Sequence, residues 1–181
     1  DLMDRFDIVG WDPRGTGEST PFVDCVDNYD EYFTVDPTPE NDAQRQALID
    51  ASKKFDEACG AKSSKILPYV STNNTARDMD MIRAALGEQK ITYFGFSYGS
   101  ELGATWATMF PSTVRAAVLD GAADPNADYM EGGLQQAAGF EKELTVFLAR
   151  CSADPTCDFH NAGKSEEAFD ALMIQLDKKP L

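Results

Sequence analysis

One stretch of the chain, residues 91–100 with the sequence ITYFGFSYGS, constrains the fold more than any other. Its first four residues are β-branched or aromatic, a composition that favours a short buried strand. Gly-x-Ser-x-Gly follows directly, and residues 100–110 are compatible with a helix. A strand, a serine between two glycines and a helix, in this order, predict a sharp turn that carries Ser97.

The two glycines of this motif, Gly95 and Gly99, meet a physical requirement of such a turn. A strand that passes directly into a helix holds the residue between them in a strained backbone conformation, so the residues two positions away must be small. Ser97 would then project its hydroxyl beyond the carboxyl end of a sheet. The amide of Tyr98, at the start of the helix, would donate to a developing oxyanion. We therefore predict Ser97 as a nucleophile and the Tyr98 amide as an oxyanion-hole donor.

Elements of alternating type surround this motif, as the periodicity of the apolar residues indicates. Strands are predicted at residues 5–11, 91–94 and 114–119. Helices are predicted at residues 41–59, 72–87, 100–110, 129–151 and 165–176. The central strands and helices alternate, which indicates an α/β fold with a parallel sheet flanked by helices. No strand is predicted after residue 125, so residues 126–181 are expected to form a helical cap.

A turn-rich run, Asp12-Pro13-Arg14-Gly15-Thr16-Gly17-Glu18-Ser19, follows the strand predicted at residues 5–11. A Gly-x-Gly after a strand suggests a phosphate-binding loop. However, the run lacks a third glycine and a Lys-Ser/Thr pair, and no helix is predicted to begin beneath it. We instead expect a rigid turn at the carboxyl edge of the sheet. In that turn Asp12 and Arg14 would satisfy local backbone groups and each other.

The charge of the chain limits its partners. With 181 residues the chain is long enough for one domain with a sizeable core. Its net charge of −15 argues against nucleic acid and anionic membrane surfaces, because both would repel it. No stretch approaches the length of a membrane span, and no signal-peptide pattern is present. The acidic residues are therefore interpreted as a solvated surface.

The four cysteines, Cys25, Cys59, Cys151 and Cys157, allow three disulfide pairings. Their grouping along the sequence favours Cys25–Cys59 and Cys151–Cys157, each closing its own local loop. An even number of cysteines in polar surroundings indicates an oxidising compartment and therefore export. The alternative is four reduced, buried thiols in a cytosolic protein.

The chain offers few candidates for the remaining catalytic roles. His160, the only histidine, lies in a polar loop of the predicted cap, where we expect an exposed structural residue rather than a base. Asp120 ends a strand and could supply an acid, but structural hydrogen bonding at the sheet edge is the simpler interpretation. A metal site is also conceivable, from Cys151, Cys157, Asp158 and His160. That set lacks a second ligand pair, and a small disulfide loop explains its cysteines better.

Three runs of residues resemble the α/β-hydrolase superfamily: FDIVGWDPRGTGES at residues 6–19, GFSYG at 95–99 and VLDG at 118–121. Within that superfamily, they resemble the secreted bacterial tripeptidyl aminopeptidases, which are relatives of the prolyl iminopeptidases. The resemblance implies a partial α/β-hydrolase core at residues 1–125. Within it, we interpret residues 20–65, which are irregular before residue 41, as an insertion that a disulfide secures. The same resemblance implies the beginning of a helical cap or lid at residues 126–181.

The resemblance also implies a function. It indicates a serine hydrolase, and more narrowly an exported aminopeptidase that removes short peptides or single residues from free N-termini through an acyl-enzyme on Ser97. It implies no cofactor and no metal, and a peptide or small ester as substrate. An esterase or lipase-like hydrolase is the alternative enzyme, because fold does not determine substrate. A non-catalytic binding module derived from a hydrolase is the alternative from another class.

Part of the family's catalytic machinery has no counterpart in the chain. In the family the catalytic Asp and His follow the serine, beyond the cap, and the second oxyanion-hole donor precedes the strand at residues 5–11. The chain begins with Asp1 rather than methionine and stops within the predicted cap. We therefore expect these 181 residues to belong to a larger enzyme whose remainder supplies the Asp and the His.

Overall fold

The computed structural model of the protein describes residues 2–122, 124 and 126–179. The chain divides into two compact units, Asp1–Ala122 and Ala123–Leu181. The described part of the first unit contains α1 (Asp30–Phe33), α2 (Asp42–Ser63), α3 (Thr72–Ala85), β1 (Ile91–Phe96), α4 (Tyr98–Met109) and β2 (Val114–Asp120). The second contains α5 (Tyr129–Ala153) and α6 (Ser165–Lys178). Short 3₁₀ helices lie at Leu67–Tyr69, Pro111–Thr113 and Asn161–Gly163.

β1 and β2 form a parallel pair, and α4 connects them. Phe94 pairs with Val118, and Phe96 pairs with Asp120 at the carboxyl end of both strands. Two parallel strands require a crossover connection, which a helix commonly supplies. The α/β organisation predicted from the sequence is therefore confirmed, and the residues that follow the two strands come to the same edge of the sheet.

The core of the first unit lies against one face of β1. Its fully or nearly fully buried members come from α3 and α4: Ala76, Met79, Leu102 and Trp106. Ile91 and Tyr93 of β1 pack against this cluster. Phe94 and Phe96 are 54% and 59% exposed, because neighbouring residues of a strand point to opposite faces. The core therefore holds α3 and α4 against β1, close to the turn that carries Ser97.

Residues 5–11 do not form the predicted third strand. They make no hydrogen-bonded ladder with β1 or β2, and Ile8 is 63% exposed. A strand is stable only when its backbone groups bond to a neighbour, and the described residues provide no such neighbour here. The loop that follows does pair locally, through a bridge between Gly15 and Phe22.

Helix α2 is longer than predicted. We expected it to end at Cys59, before Gly60, and this prediction is wrong because the helix continues to Ser63. The Ser63 hydroxyl donates to the Asp24 carbonyl at 2.7 Å and accepts from the Asp24 amide at 2.9 Å. Together with the disulfide between Cys25 and Cys59, these bonds hold the last turn of α2 against the preceding loop.

The described part of the second unit consists of helices, as predicted. Asp128 caps α5 by accepting the Glu131 amide at 2.8 Å. Cys151 near the end of this helix is joined to Cys157. Pro125, where the predicted core ends, lies outside the described residues. None of the described helices combines the length and the apolar composition needed to cross a membrane.

Candidate active site

Ser97 lies between the end of β1 and the first residue of α4, with φ 51° and ψ −122°. A positive φ is uncommon for a residue that carries a side chain, and it persists only where surrounding contacts enforce it. Here the Ser97 amide donates to the Asp120 carbonyl at 2.8 Å. The Ser97 carbonyl accepts from the Ser100 amide at 2.8 Å and from the Ser100 hydroxyl at 2.6 Å. Hydrogen bonds to β2 and α4 thus hold both sides of the turn.

The glycines around the turn are needed to different degrees. A Cβ atom on Gly95 would collide with the carbonyl group of Gly99, at 2.6 Å from its carbon. A Cβ atom on Gly99 would meet the Tyr93 hydroxyl at 3.5 Å, an ordinary contact. From the sequence alone, both positions are expected to require a small residue equally. The structure instead shows that Gly95 has no room for a side chain, whereas Gly99 has room for a methyl group.

Tyr93 and Gly121 also build the turn, and neither was predicted as a site residue. The Tyr93 hydroxyl donates to the Gly99 carbonyl at 2.7 Å. Burial, with a smaller contribution from Tyr98, raises the pKa of Tyr93, so the phenol remains a donor. Gly121 follows β2 with φ 64°, and a Cβ atom there would approach the Ser97 amide nitrogen to 3.7 Å. A glycine directly after a strand is the sequence signal that would have suggested Gly121.

The environment of the Ser97 hydroxyl suits attack on a substrate. Ser97 is exposed, and no residue in the described ranges hydrogen bonds with its hydroxyl. Tyr98 is the first residue of α4, so its amide lies in the turn where helical N–H groups have no intrahelical acceptor. The helix dipole adds positive potential at the same place. An oxyanion formed beside Ser97 would therefore meet an available donor and a favourable field.

Internal hydrogen bonds hold the loop of residues 12–19, but its pairing differs from the prediction. Asp12 accepts the Glu18 amide at 2.8 Å, and the Asp12 carbonyl accepts the Ser19 hydroxyl at 2.6 Å. Arg14 does not pair with Asp12. Its guanidinium makes a bidentate contact with Asp78 of α3, at 2.8 Å from Nε and 2.6 Å from the terminal nitrogen. The hydrogen bond with Asp78 raises the pKa of Arg14. The loop is therefore attached to α3.

The Arg14–Asp78 pair should contribute measurably to stability. Each side chain is only 25% exposed. We expect Asp78→Asn to lower the free energy of unfolding by about 2 kcal/mol, because Arg14 keeps its charge and loses a bidentate partner. Glu31→Gln is the matched control, since Glu31 pairs with Lys54 on an exposed surface. That change should cost much less, because solvent screens an exposed ion pair. Chemical denaturation measures both, and equal losses would contradict the expectation.

His160 and Asp120 have structural contacts. His160 lies in the second unit, where it is partly buried rather than exposed as predicted, and its Nδ1 is 2.9 Å from the Cys151 carbonyl oxygen. Asp120 contacts the turn through its main chain, which accepts the Ser97 amide, while its side chain is exposed. Both cysteines of the conceivable metal set, Cys151 and Cys157, are joined in a disulfide. Within the ranges that the structure describes, no group of three or more His, Cys, Asp or Glu side chains could hold a metal ion.

Known proteins resemble the chain over most of its length. The family described as alpha/beta hydrolase fold matches residues 1–164. The chain is 40% identical to serine protease Hip1 of Mycobacterium tuberculosis over 179 residues, which are 97% of this chain and 34% of that protein. It is 42% identical to a tripeptidyl aminopeptidase of Streptomyces lividans over 140 residues, 75% of this chain and 26% of that protein.

A third relative carries a different name. Carboxylesterase B of Mycobacterium tuberculosis is 35% identical over 184 residues, 99% of this chain and 35% of that protein. The chain thus spans about a third of the length of these curated relatives. Two of these three relatives are named as proteolytic enzymes, and one is named as an esterase.

Proposed function

The chain belongs to the α/β-hydrolase fold family, and from that premise we propose that it carries the nucleophile of a serine peptidase, Ser97. The observation that supports this most is the backbone of Ser97, held at φ 51° between β1 and the start of α4 with its hydroxyl exposed. Strain of this kind is maintained only by surrounding bonds, and it occurs preferentially at functional sites. The relatives named serine protease and tripeptidyl aminopeptidase support a peptide substrate.

The proposed reaction begins with attack of the Ser97 hydroxyl oxygen on the carbonyl carbon of the scissile bond. A histidine accepts the serine proton and delivers it to the departing amine, which leaves an acyl-enzyme on Ser97. Water, activated by the same histidine, then hydrolyses the acyl-enzyme and frees Ser97. The Tyr98 amide donates to the oxyanion in both tetrahedral intermediates.

The acid and the base of the triad are proposed to come from residues beyond these 181. The His160 ring bonds to the Cys151 carbonyl, which supports a structural role for it. The relatives are about three times as long as the matched region, so their length leaves room for the missing Asp and His. A serine without its base is a weak nucleophile, and activity is therefore proposed for the full polypeptide that carries the chain.

We propose that the enzyme removes short peptides or single residues from the free N-termini of peptide substrates, and that it acts outside the cytoplasm. The aminopeptidase relative, 42% identical, supports the first statement. The disulfides Cys25–Cys59 and Cys151–Cys157 support the second, since such bonds persist in oxidising compartments. The carboxylesterase relative supports an esterase as the second candidate.

A substrate panel separates these proposals. We expect the full polypeptide to hydrolyse a tripeptide p-nitroanilide with a free N-terminus at least about 10² times faster than its N-acetylated form, because a cationic terminus and its binding contacts are lost. A fluorophosphonate probe should label Ser97, as identified by peptide mapping. A short-chain p-nitrophenyl ester completes the panel. Ester turnover without amide turnover would favour the esterase, and absence of both turnover and labelling would favour the binding module.

A further inference from the structure

Tyr98 has a second connection, one that its side chain makes with another helix. Its hydroxyl oxygen lies 3.0 Å from the hydroxyl oxygen of Thr72, the first residue of α3. The two residues are 26 positions apart in the sequence. Tyr98 is 51% exposed, so burial alone does not hold its ring in one orientation. The contact with Thr72 gives the ring a fixed partner.

Helix α3, which carries Thr72, is packed tightly against α4, which carries Tyr98. Ala76 and Met79 of α3 are buried with Leu102 and Trp106 of α4 in one core cluster. Close packing of this kind keeps the two helices in one relative position. The start of α3 therefore has a defined place relative to the start of α4, where Tyr98 lies.

The beginning of α3 is also held by polar contacts. Ser71 caps the helix and accepts the Asn74 amide at 3.3 Å. The Asn74 side chain donates to the Tyr69 carbonyl at 3.0 Å, and Arg14 donates to the same carbonyl at 3.2 Å. Thr72 thus lies in a segment whose backbone is fixed on both sides.

Tyr98 presents its amide at the turn and its hydroxyl to Thr72, so the contact with Thr72 restrains the residue that supplies the amide. We infer that Thr72 is a positioning residue that, through its hydroxyl bond to Tyr98, keeps the Tyr98 amide aimed at the oxyanion. The inference rests on the proposed function of Ser97. A donor of this kind must be held to within about 0.5 Å and 10–20° of its productive geometry. The backbone of the turn is one restraint on Tyr98, and its hydroxyl bond to Thr72 is a second.

The test uses the full polypeptide and the free-amine tripeptide p-nitroanilide. We expect Thr72→Val and Tyr98→Phe each to lower kcat by about 3- to 10-fold, the effect of losing one neutral hydrogen bond, with KM changed less than about twofold. The double variant should be no slower than either single variant, because all three lack the same bond. Thr72→Ser keeps the hydroxyl and should restore kcat to within about twofold of the unaltered enzyme. The rate of inactivation by the fluorophosphonate should follow kcat, since its adduct is also tetrahedral.

Thr113→Val is the matched control. Thr113 donates its hydroxyl to the Phe110 carbonyl at 2.8 Å, beyond the other end of α4. Its loss should affect stability and leave kcat unchanged. The positioning role would be overturned if Thr72→Val left kcat unchanged, or if it altered KM rather than kcat. It would also be overturned if the losses of the two single variants multiplied in the double variant. A fully active Ser97→Ala variant would overturn the proposed function and this inference together, so the two failures are distinguishable.

Discussion

Ser97→Ala should lower kcat of the full polypeptide on the free-amine tripeptide p-nitroanilide by about 10⁴-fold or more, the scale on which removal of a triad serine acts. The hydroxyl oxygen is the atom that forms the acyl bond, and alanine offers no replacement. KM should change by less than about threefold, because binding of the substrate does not require the bond to form. Steady-state kinetics with purified variants gives both values.

Ser112→Ala provides the matched control for this experiment. Ser112 is exposed in the 3₁₀ helix Pro111–Thr113, beyond the far end of α4. Its replacement removes the same hydroxyl and should leave both kcat and labelling unchanged. If Ser97→Ala retained full activity while Ser112→Ala behaved as expected, another residue would have to be the nucleophile. Labelling by fluorophosphonate gives an independent answer, since it depends on the nucleophile rather than on turnover.

Gly95→Ala should lower the free energy of unfolding by about 3 kcal/mol, the upper range for overpacking of a close-packed site. The added methyl group would collide with the backbone of Gly99, which cannot rotate away as a side chain could. Gly95 also pairs with Leu119 of β2, so β1 cannot move without disturbing the ladder. Activity should fall as well, because the same collision displaces the turn that carries Ser97.

Gly99→Ala is the control that makes this result specific. The new methyl group would meet only the Tyr93 hydroxyl, at 3.5 Å. Alanine is the better helix former by about 1 kcal/mol, so the free energy of unfolding should stay within about 1 kcal/mol of the unaltered value. Urea denaturation of both variants measures the difference. Similar losses at the two positions would show that the turn requires glycine on both sides of Ser97.

Several features of the fold follow from residues close together in the sequence. The β-branched and aromatic run before Ser97 predicts β1, and the helical periodicity after it predicts α4. Cys25–Cys59 and Cys151–Cys157 are the pairs that local grouping favours, and the structure forms both. Each of these features depends on neighbouring residues or on short loops, where propensity and spacing carry most of the information.

Other features depend on contacts between distant segments. Arg14 pairs with Asp78, 64 residues away, rather than with Asp12 two residues away. Thr72 reaches Tyr98 across the space between two helices. The strand predicted at residues 5–11 does not form, because the β propensity of a segment cannot provide the neighbouring strand to which it must hydrogen bond. Helix α2 continues past Gly60 to Ser63, whose hydroxyl bonds to the backbone of Asp24, 39 residues away.

Some features of the turn at Ser97 follow from the local sequence, and others follow from tertiary contacts. The sequence by itself determined that a serine between glycines joins a strand to a helix. The tertiary structure decided that Gly95 is sterically required while Gly99 is not. It also decided that Asp120, at the end of β2, and Gly121, directly after it, lie against the turn. The reason is physical: backbone preference acts between neighbours in the chain, whereas the space around a Cβ atom is set by the segments that pack against it.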